Sequence, residues 1–300
     1  MGFNHVGTRF AYELKRAGLD AVVVRGGRAE RPVYIYIEEG GQADIRDASR
    51  YWGGLDIIET VNALRRDLND QSIKALAIGP AGGEHLVKFS TIANEEGIGG
   101  RAGGGAVMGS KNLKALVVKG TRPIEYAYPE ELRRYVRELN VKLGSSARGG
   151  VSLRKFGSAG SVGIYNEMGN IPVRNFAWGG RWDDNEVFKI TGETMAKTIL
   201  ERPYPCTTCP VACKRFVRVK PGKWFDKEFK GLGPEYETIS LFGTNLLISD
   251  LEAIARMNEE CDRLGLDTIS TGNVIGFIFE AAERGGLINR EIEGLRLEWG

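Results

Sequence analysis

The sequence predicts an α+β protein, with a β-rich N-terminal domain over residues 1–121 and a mainly α-helical domain over residues 122–300. Two observations lead to this prediction. Short β-branched and aromatic runs, each closed by Gly, Pro or Asp, dominate the first part, whereas apolar residues at helical spacing dominate the second. The spacing of apolar residues changes from strand-like to helical after Thr121-Arg-Pro123, and the domain boundary is placed there.

Four strands and two helices are predicted in the first domain. The strands are Ala21–Val24, Val33–Ile37, Ala75–Ile78 and Ala115–Val118, and the helices are Phe10–Ala17 and Ile57–Leu68. The run at Val33 alternates β-branched and aromatic residues, which favours a strand because such side chains fit a pleated surface.

A long helix opens the second domain. It begins at Pro129 and ends at Gly144, with apolar residues at the i, i+3, i+4 and i+7 positions that one helix face requires.

Two further helices are predicted near the end of the chain. Ser249 and Glu252 form a capping-box pattern at the start of the first, and Gly265 is placed to end it. The second runs from about Thr271 to the stop at Gly285-Gly286.

Composition and charge indicate an ordinary soluble globular protein. Apolar residues make up 42% and charged residues 27%, and the net charge of +2 gives no signal for a nucleic-acid or membrane partner, so neither is expected. No window reaches the roughly 18 apolar residues of a membrane span. The N-terminus also lacks the regions of a signal peptide. A cytoplasmic location is therefore expected.

The cysteines give the most specific chemical signal. Cys206, Cys209 and Cys213 follow a C-x2-C-x3-C spacing, and Cys261 is the only other thiol. Closely spaced thiolates favour an iron–sulfur cluster. Structural zinc usually takes two separated pairs, so zinc is the second alternative, and unligated thiols are the third. Cys261 could supply a fourth ligand by count, but its place on an apolar helix stripe suits a buried hydrophobe.

A glycine-rich run extends from Gly97 to Gly109. Its backbone N–H groups could surround an anion, and Arg101 could donate to a phosphate. The run matches neither the dinucleotide-binding fingerprint nor the P-loop motif. A tight, glycine-lined packing corner is the alternative interpretation.

Acidic residues mark two further candidates. Asp262 and Asp267 bracket the turn at Gly265 and would suit a ligand rich in N–H donors, although Asp267 could simply start the next helix. Glu237, in Gly233-Pro-Glu-Tyr-Glu237, is a candidate for proton transfer if the fold buries it, and otherwise an ordinary solvated or ion-paired glutamate.

Taken together, these motifs resemble those of the tungsten-containing aldehyde ferredoxin oxidoreductase family in residue identity, order and spacing. The stretches that carry the resemblance are Gly105–Ala115, Cys206-x2-Cys209-Pro-x2-Cys213, Gly233-Pro-Glu-Tyr-Glu237 and Asp262-x2-Gly-Leu-Asp267. The family implies an N-terminal, pterin-binding domain of two packed sheets and oxidation of a small aldehyde to a carboxylic acid, with ferredoxin as electron acceptor. Its cofactors would be a tungstopterin or molybdopterin in the bis-pterin form and a [4Fe–4S] cluster.

The resemblance also implies roles for residues. Cys206, Cys209 and Cys213 would hold the cluster, with the fourth ligand in a downstream D-x-x-G-L-C motif that this sequence lacks. Glu237 would lie near the metal as the catalytic residue. The residues implied to bind the pterins are Gly7, Gly100, Arg101, Asp262, Leu266 and Asp267.

Because family segments at both ends have no counterpart here, we expect the 300 residues to be part of a longer protein and to be inactive alone. A non-catalytic iron–sulfur electron-transfer module or a zinc-stabilised binding module is the alternative. Sister activities, such as reduction of an aromatic acyl thioester, are not separated by the sequence, and homo-oligomerisation is left open.

Overall fold

The computed structural model describes residues 2–146, 151–285 and 291–300. The chain divides into two compact units. Unit 1 comprises Met1–Asn140, Cys206–Thr208 and Cys261–Asp267; unit 2 comprises Val141–Pro205, Cys209–Glu260 and Thr268–Gly300. Among the helices of the described ranges, none is long and apolar enough to cross a bilayer.

Eleven strands are found in the described residues. They are β1 (Val33–Ile37), β2 (Ala43–Asp47), β3 (Lys74–Ile78), β4 (Ile92–Asn94), β5 (Gly97–Ile98), β6 (Leu113–Val118), β7 (Leu200–Tyr204), β8 (Lys214–Val219), β9 (Phe229–Leu232), β10 (Glu291–Ile292) and β11 (Leu295–Arg296).

Twelve α-helices accompany these strands in the same ranges. They are α1 (Phe10–Arg16), α2 (Ile57–Asp67), α3 (Pro80–Gly83), α4 (Gly104–Ser110), α5 (Pro129–Ser145), α6 (Ser152–Phe156), α7 (Val162–Glu167), α8 (Asp184–Phe188), α9 (Gly192–Thr198), α10 (Tyr236–Thr238), α11 (Leu251–Leu264) and α12 (Thr268–Arg284). Short 3-10 turns and one π-helical turn, Ile239–Thr244, complete the helical structure.

Unit 1 is built on a six-stranded sheet in the order β2-β1-β6-β3-β4-β5. Only β1 and β6 run parallel; the other neighbours are antiparallel. The alternation in β1 sends Tyr34 into a core with Leu64 of α2, and Ile37 into a core with Phe10 of α1. Successive side chains of a strand point to opposite faces, so helices cover both faces of this sheet.

Two details of the predicted fold are corrected, although the α+β class is confirmed. The described strands of the first 121 residues form one sheet, in place of two packed sheets. Ala21–Val24 forms no strand: Val23 is 71% exposed, and of these residues Val22 packs against the core around Phe10. β-Branched residues favour a strand only where a neighbouring strand can pair with them.

The helix predicted at Pro129 is α5, but no residue on it is buried. Its apolar stripe stays exposed, with Leu132 and Leu139 both at 39% and Val136 at 41%. Periodicity therefore predicted the helix correctly while implying a burial that the described residues do not provide.

Helix α11 differs from the prediction at its N-terminal cap and agrees with it at its C-terminal end. Asp250, not Ser249, caps α11, because its Oδ1 accepts from the backbone N–H of Glu252 and Ala253, each at 3.1 Å. The stop at Gly265 is confirmed: φ is +75° there, and its N–H donates to Cys261 at 2.9 Å.

The final helix, α12, begins at Thr268, three residues before the predicted start at about Thr271, and it ends at Arg284. Gly286, half of its predicted stop, lies outside the described residues.

Unit 2 combines helices, among them the 17-residue α12, with an antiparallel sheet in the order β7-β8-β9. The pair Tyr204 and Lys214 joins the ends of β7 and β8. Every residue from 205 to 213, including the three closely spaced cysteines, therefore belongs to the loop between two paired strands.

Candidate functional site

The first half of the glycine-rich run forms an exposed turn in unit 1. Left-handed φ angles occur at Gly100 (+62°), Ala102 (+80°) and Gly103 (+73°), so the chain reverses sharply around Arg101. Asn4 Nδ2 donates to the carbonyl of Arg101 at 2.9 Å, which ties the turn to the N-terminal segment. The Arg101 side chain is 60% exposed.

The second half of the run is the packing corner that was the alternative interpretation. A Cβ on Gly109 would lie 1.8 Å from the carbonyl oxygen of Gly82, and one on Gly105 would lie 2.7 Å from that of Thr91. Only glycine permits such backbone approach. The packing-corner interpretation therefore holds for the second half of the run, and the anion-site prediction concerns the first half.

The aspartate turn after α11 also belongs to unit 1, where backbone bonds hold it against residues 89–91. Thr91 N donates to the carbonyl of Gly265 at 2.8 Å, and Asp267 N donates to that of Phe89 at 3.1 Å. Between these bonds, Ser90 and Leu266 form an isolated antiparallel bridge. The position of this turn is thus fixed by main-chain pairing.

These two motifs meet. Arg101 Nε donates to Asp267 Oδ2 at 3.2 Å, and the Asp267 side chain is only 5% exposed. Asp262 and Leu266, the other predicted pterin contacts of this turn, are half-buried. Arg263 anchors the same turn through an ion pair with Asp56 at 2.6 Å. A guanidinium and a carboxylate at one place can respectively donate to a phosphate and accept from ring N–H groups.

Gly7 lies beside the first cysteine. A Cβ on Gly7 would be 2.6 Å from Cys206 Sγ, so glycine leaves the space in which this thiol sits. The neighbouring Thr207 hydroxyl lies 3.5 Å from the carbonyl of Thr8. Gly7 was predicted to contact a pterin; in unit 1 its close neighbour is a predicted cluster ligand.

Cys209 and Cys213 belong to unit 2. Like Cys206, both are half-buried and free of disulfides. Arg154 donates to the carbonyl of Pro210 at 3.2 Å within the same loop. Cys261 is 4% exposed on α11, as expected of a small buried hydrophobe.

No group of three or more His, Cys, Asp or Glu side chains is arranged to hold a metal ion in the ranges that the structure describes. The fit to an iron–sulfur cluster therefore rests on donor chemistry: the three half-buried cysteines of this loop form no disulfide, and thiolates are the soft ligands that iron–sulfur clusters take.

The two glutamates of the Gly233–Glu237 motif in unit 2 lie in different environments. Glu237, the predicted catalytic residue, is exposed in the first turn of α10. Burial instead raises the pKa of Glu235, with the nearby Glu237 charge adding to the shift, while a hydrogen bond from Ser158 and the Arg215 charge oppose it. Burial, the condition attached to choosing Glu237, therefore applies to Glu235.

Sequence reasoning missed Glu235 and Arg215. Both are charged residues, and only their contacts with α6 and the following turn reveal that Arg215 is buried and Glu235 half-buried. A weak signal existed for Arg215, because β8 alternates and places it on the same face as the buried Val217 and Val219.

Comparison with known proteins accounts for both parts of the chain. Residues 1–120 match the family description "Aldehyde ferredoxin oxidoreductase, N-terminal domain". Residues 134–300 match "Aldehyde ferredoxin oxidoreductase, domains 2 & 3".

Curated relatives agree with these matches. The tungsten-containing aldehyde ferredoxin oxidoreductases of Pyrococcus furiosus and Thermococcus kodakarensis are 42% and 41% identical, each over 98% of this chain and 47% of the relative. An "Aliphatic sulfonate oxidoreductase, WOR-like subunit" of P. furiosus is 33% identical over 96% of this chain and 46% of the relative. The chain thus spans about half the length of these proteins.

A solved structure shares the fold. The "Active site complex BamBC of Benzoyl Coenzyme A reductase in complex with 1,5 Dienoyl-CoA" aligns with a TM-score of 0.78 and 27% identity, over 97% of this chain and 44% of that one. Two family matches that together cover nearly all residues, with relatives above 40% identity, lead to one conclusion: the chain belongs to the aldehyde ferredoxin oxidoreductase family.

Proposed function

We propose that the whole protein oxidises an aldehyde to a carboxylic acid at a tungsten or molybdenum bis-pterin centre and passes the electrons through a [4Fe–4S] cluster to ferredoxin. The observation that supports this most directly is the contact between Arg101 and Asp267 at 3.2 Å. Both were predicted to bind pterin from separate motifs, and they meet in unit 1.

The residues of unit 1 suit the polar groups of a pterin. Asp267 and Asp262 supply carboxylates that accept from amino and ring N–H groups, and the exposed guanidinium of Arg101 donates to phosphate. Gly100, with φ at +62°, lets the backbone turn beneath such a phosphate. Leu266 would contribute main-chain contacts.

The reaction balances as aldehyde plus water giving carboxylic acid, two protons and two electrons. The metal, held by two dithiolenes, would supply the redox chemistry at the carbonyl carbon. Glu237 is exposed and does not meet the burial condition, so its proposed role rests on the family resemblance alone: it would take one of the released protons. Cys206, Cys209 and Cys213 would hold the cluster through which the electrons leave.

Metal analysis of the anaerobically purified full-length protein tests the proposal. Iron together with tungsten or molybdenum, a low-temperature electron paramagnetic resonance signal of a reduced cluster, and ferredoxin-dependent aldehyde oxidation are expected. Zinc alone would favour the binding module, and iron without tungsten or molybdenum the electron-transfer module.

One variant tests the role of Glu237. Glu237→Gln should lower turnover about a hundredfold while leaving metal content unchanged, as removal of a general acid–base typically does. Glu252→Gln is the matched control, since Glu252 is also exposed in the first turn of a helix of unit 2. Equal turnover in both variants would remove Glu237 from the mechanism.

A further inference from the structure

Arg215 has the most deeply buried guanidinium in the described residues, with only 1% of the residue exposed. It lies on β8, two residues after the last cysteine of the loop. Its three nitrogens donate to five backbone carbonyls. These belong to Leu153 (3.2 Å), Arg154 (3.0 Å), Lys155 (3.1 Å), Ala212 (2.7 Å) and Cys213 (3.1 Å).

The five acceptors form two groups. Three are carbonyls of α6, a helix of five residues whose C-terminal end carries partial negative charge; the Leu153 carbonyl also accepts from Gly157 N at 2.9 Å. The other two belong to the end of the cysteine loop. Arg215 therefore ties the backbone at Cys213 to α6, and all of these contacts lie within unit 2.

Gly157 makes this arrangement sterically accessible. A Cβ on Gly157 would lie 2.8 Å from the carbonyl oxygen of Cys213 and 2.9 Å from Arg215 Nε, and φ at this residue is +65°. Glycine thus lets the chain leave α6 close enough to bring the two segments together.

The positive charge of Arg215 lacks an ion-pair partner among the described residues, because all five hydrogen bonds go to neutral carbonyls. Burial lowers the pKa of Arg215, while the negative charges of Glu235 and Cys213 act in the opposite direction. An arginine nevertheless stays protonated in proteins. Burying a charge without an ion-pair partner is unfavourable, and an anion at Cys213 would offset part of that cost.

We propose that Arg215 is a positioning residue, which clamps the Cys209–Cys213 loop against α6 and supplies the positive charge that stabilises the anionic, metal-bound form of this loop. The second part rests on the proposed function, since it needs a cluster at these cysteines. A reduced cluster carries one more negative charge than an oxidised one, so the charge of Arg215 favours the reduced state.

Three variants of the full-length protein separate the clamp from the charge. Arg215→Met removes both, Arg215→Lys keeps the charge but loses the planar fork of donors, and Arg218→Met is the control. Arg218 lies on the same strand, is exposed, and pairs with Glu228 at 2.6 Å.

Two measurements test the clamp and the charge effect separately. Amide hydrogen exchange of residues 209–213 in the metal-free protein reports the clamp: both Arg215 variants should exchange at least about tenfold faster than wild type, and Arg218→Met should not. The midpoint potential of the cluster reports the charge. Arg215→Met should lower it by about 59 mV, equivalent to a tenfold change for one electron, whereas Arg215→Lys should stay near wild type.

Unchanged exchange in Arg215→Met would overturn the clamp, and an unchanged potential would overturn the charge effect. If Arg215→Met does not fold, the exchange of Arg215→Lys decides the clamp, and the potential of Arg215→Gln, a second neutral variant, decides the charge effect. If the wild-type protein holds no iron, the charge effect fails together with the proposed function, while exchange in the metal-free protein still decides the clamp.

Discussion

Arg101 Nε donates to Asp267 Oδ2 at 3.2 Å, which joins two motifs that lie 166 residues apart in the sequence. The pair is asymmetric, because the Arg101 side chain is 60% exposed and that of Asp267 is 5% exposed. The buried carboxylate therefore orients a guanidinium that is largely exposed. A pterin with a phosphate could use both residues at once.

Asp267→Asn should lower the pterin and tungsten content of the full-length protein about tenfold, because a charge-assisted hydrogen bond worth roughly 1.5–3 kcal/mol is lost. Metal analysis and quantification of released pterin measure this. Asp44→Asn is the matched control, since Asp44 forms a surface pair with Arg46 at 3.0 Å. Full cofactor content in Asp267→Asn would contradict the assignment.

Gly7→Ala should displace the thiol of Cys206 rather than unfold unit 1. The new Cβ would lie 2.6 Å from Sγ, at the far end of a side chain that can rotate away. We expect reduced iron content and a lower cluster absorbance, with a melting temperature close to that of wild type. Gly27→Ala is the control, because a Cβ there meets nothing within 4 Å. An iron content equal to that of the control would contradict this account.

Gly79→Ala should destabilise the packing of α11 against the end of β3. Its Cβ would lie 2.2 Å from the carbonyl oxygen of Leu264, a backbone atom that cannot rotate aside. Overpacking of this kind costs roughly 1–3 kcal/mol, measurable by denaturant unfolding. Gly83→Ala, whose Cβ would make ordinary contacts at 3.5 Å with Trp52, should be tolerated. Similar unfolding midpoints for Gly79→Ala and Gly83→Ala would contradict the prediction.

Lys114 should make stability rise with pH. It is 2% exposed, and burial lowers its pKa from 10.5 to about 8, while the carboxylates of Glu84, Asp56 and Glu59 act against this shift. Because the unfolded chain holds the proton more tightly, the cost of burying the charge is present below pH 8 and is lost as pH approaches 10.5.

The corresponding variant is Lys114→Met. The difference in pKa corresponds to roughly 3 kcal/mol, so the variant should be the more stable protein at pH 7, less any cost of leaving the Leu55 carbonyl without its donor. The advantage should shrink by pH 10. Thermal melts across this range test it, with the exposed Lys88→Met as control. A difference in melting temperature between Lys114→Met and wild type that does not change with pH would contradict the prediction.

Glu235 should produce the opposite slope in acid. Burial raises its pKa from 4.5, so the folded protein favours the protonated form. Its stabilising contribution is fully present below about pH 4.5 and is lost as pH rises through the folded value. Glu235→Gln, which stays neutral, should therefore gain stability relative to wild type between acid and neutral pH.

The control for this slope is Glu228→Gln. The pKa of Glu228 is lowered by its hydrogen bond with Arg218, so this exposed residue should give a small effect of the opposite sign. Melting curves of the metal-free, full-length proteins, recorded from acid to neutral pH, measure the pH dependence of stability in both variants and in wild type. Parallel pH profiles for Glu235→Gln and wild type would refute the role of burial.

Local patterns predicted much of the fold. The alternation in β1, the start of α2 at Ile57 and the stop at Gly265 all depend on neighbours within a few residues. Ala21–Val24 shows the limit, because its β-branched residues have no neighbouring strand to pair with. Of the predicted site residues, Arg101 and Asp267 are found together, whereas Gly7 is found beside Cys206.

Residue type and spacing along the chain are enough to predict the class of elements, the order of the motifs and the family. The folded structure was needed to show that Glu235 is half-buried and Glu237 exposed, that Arg215 spans α6 and the cysteine loop, and that Arg101 reaches Asp267. Burial, hydrogen-bond partners and electrostatic fields are set by segments remote in sequence. Local spacing carries no record of which segments those are.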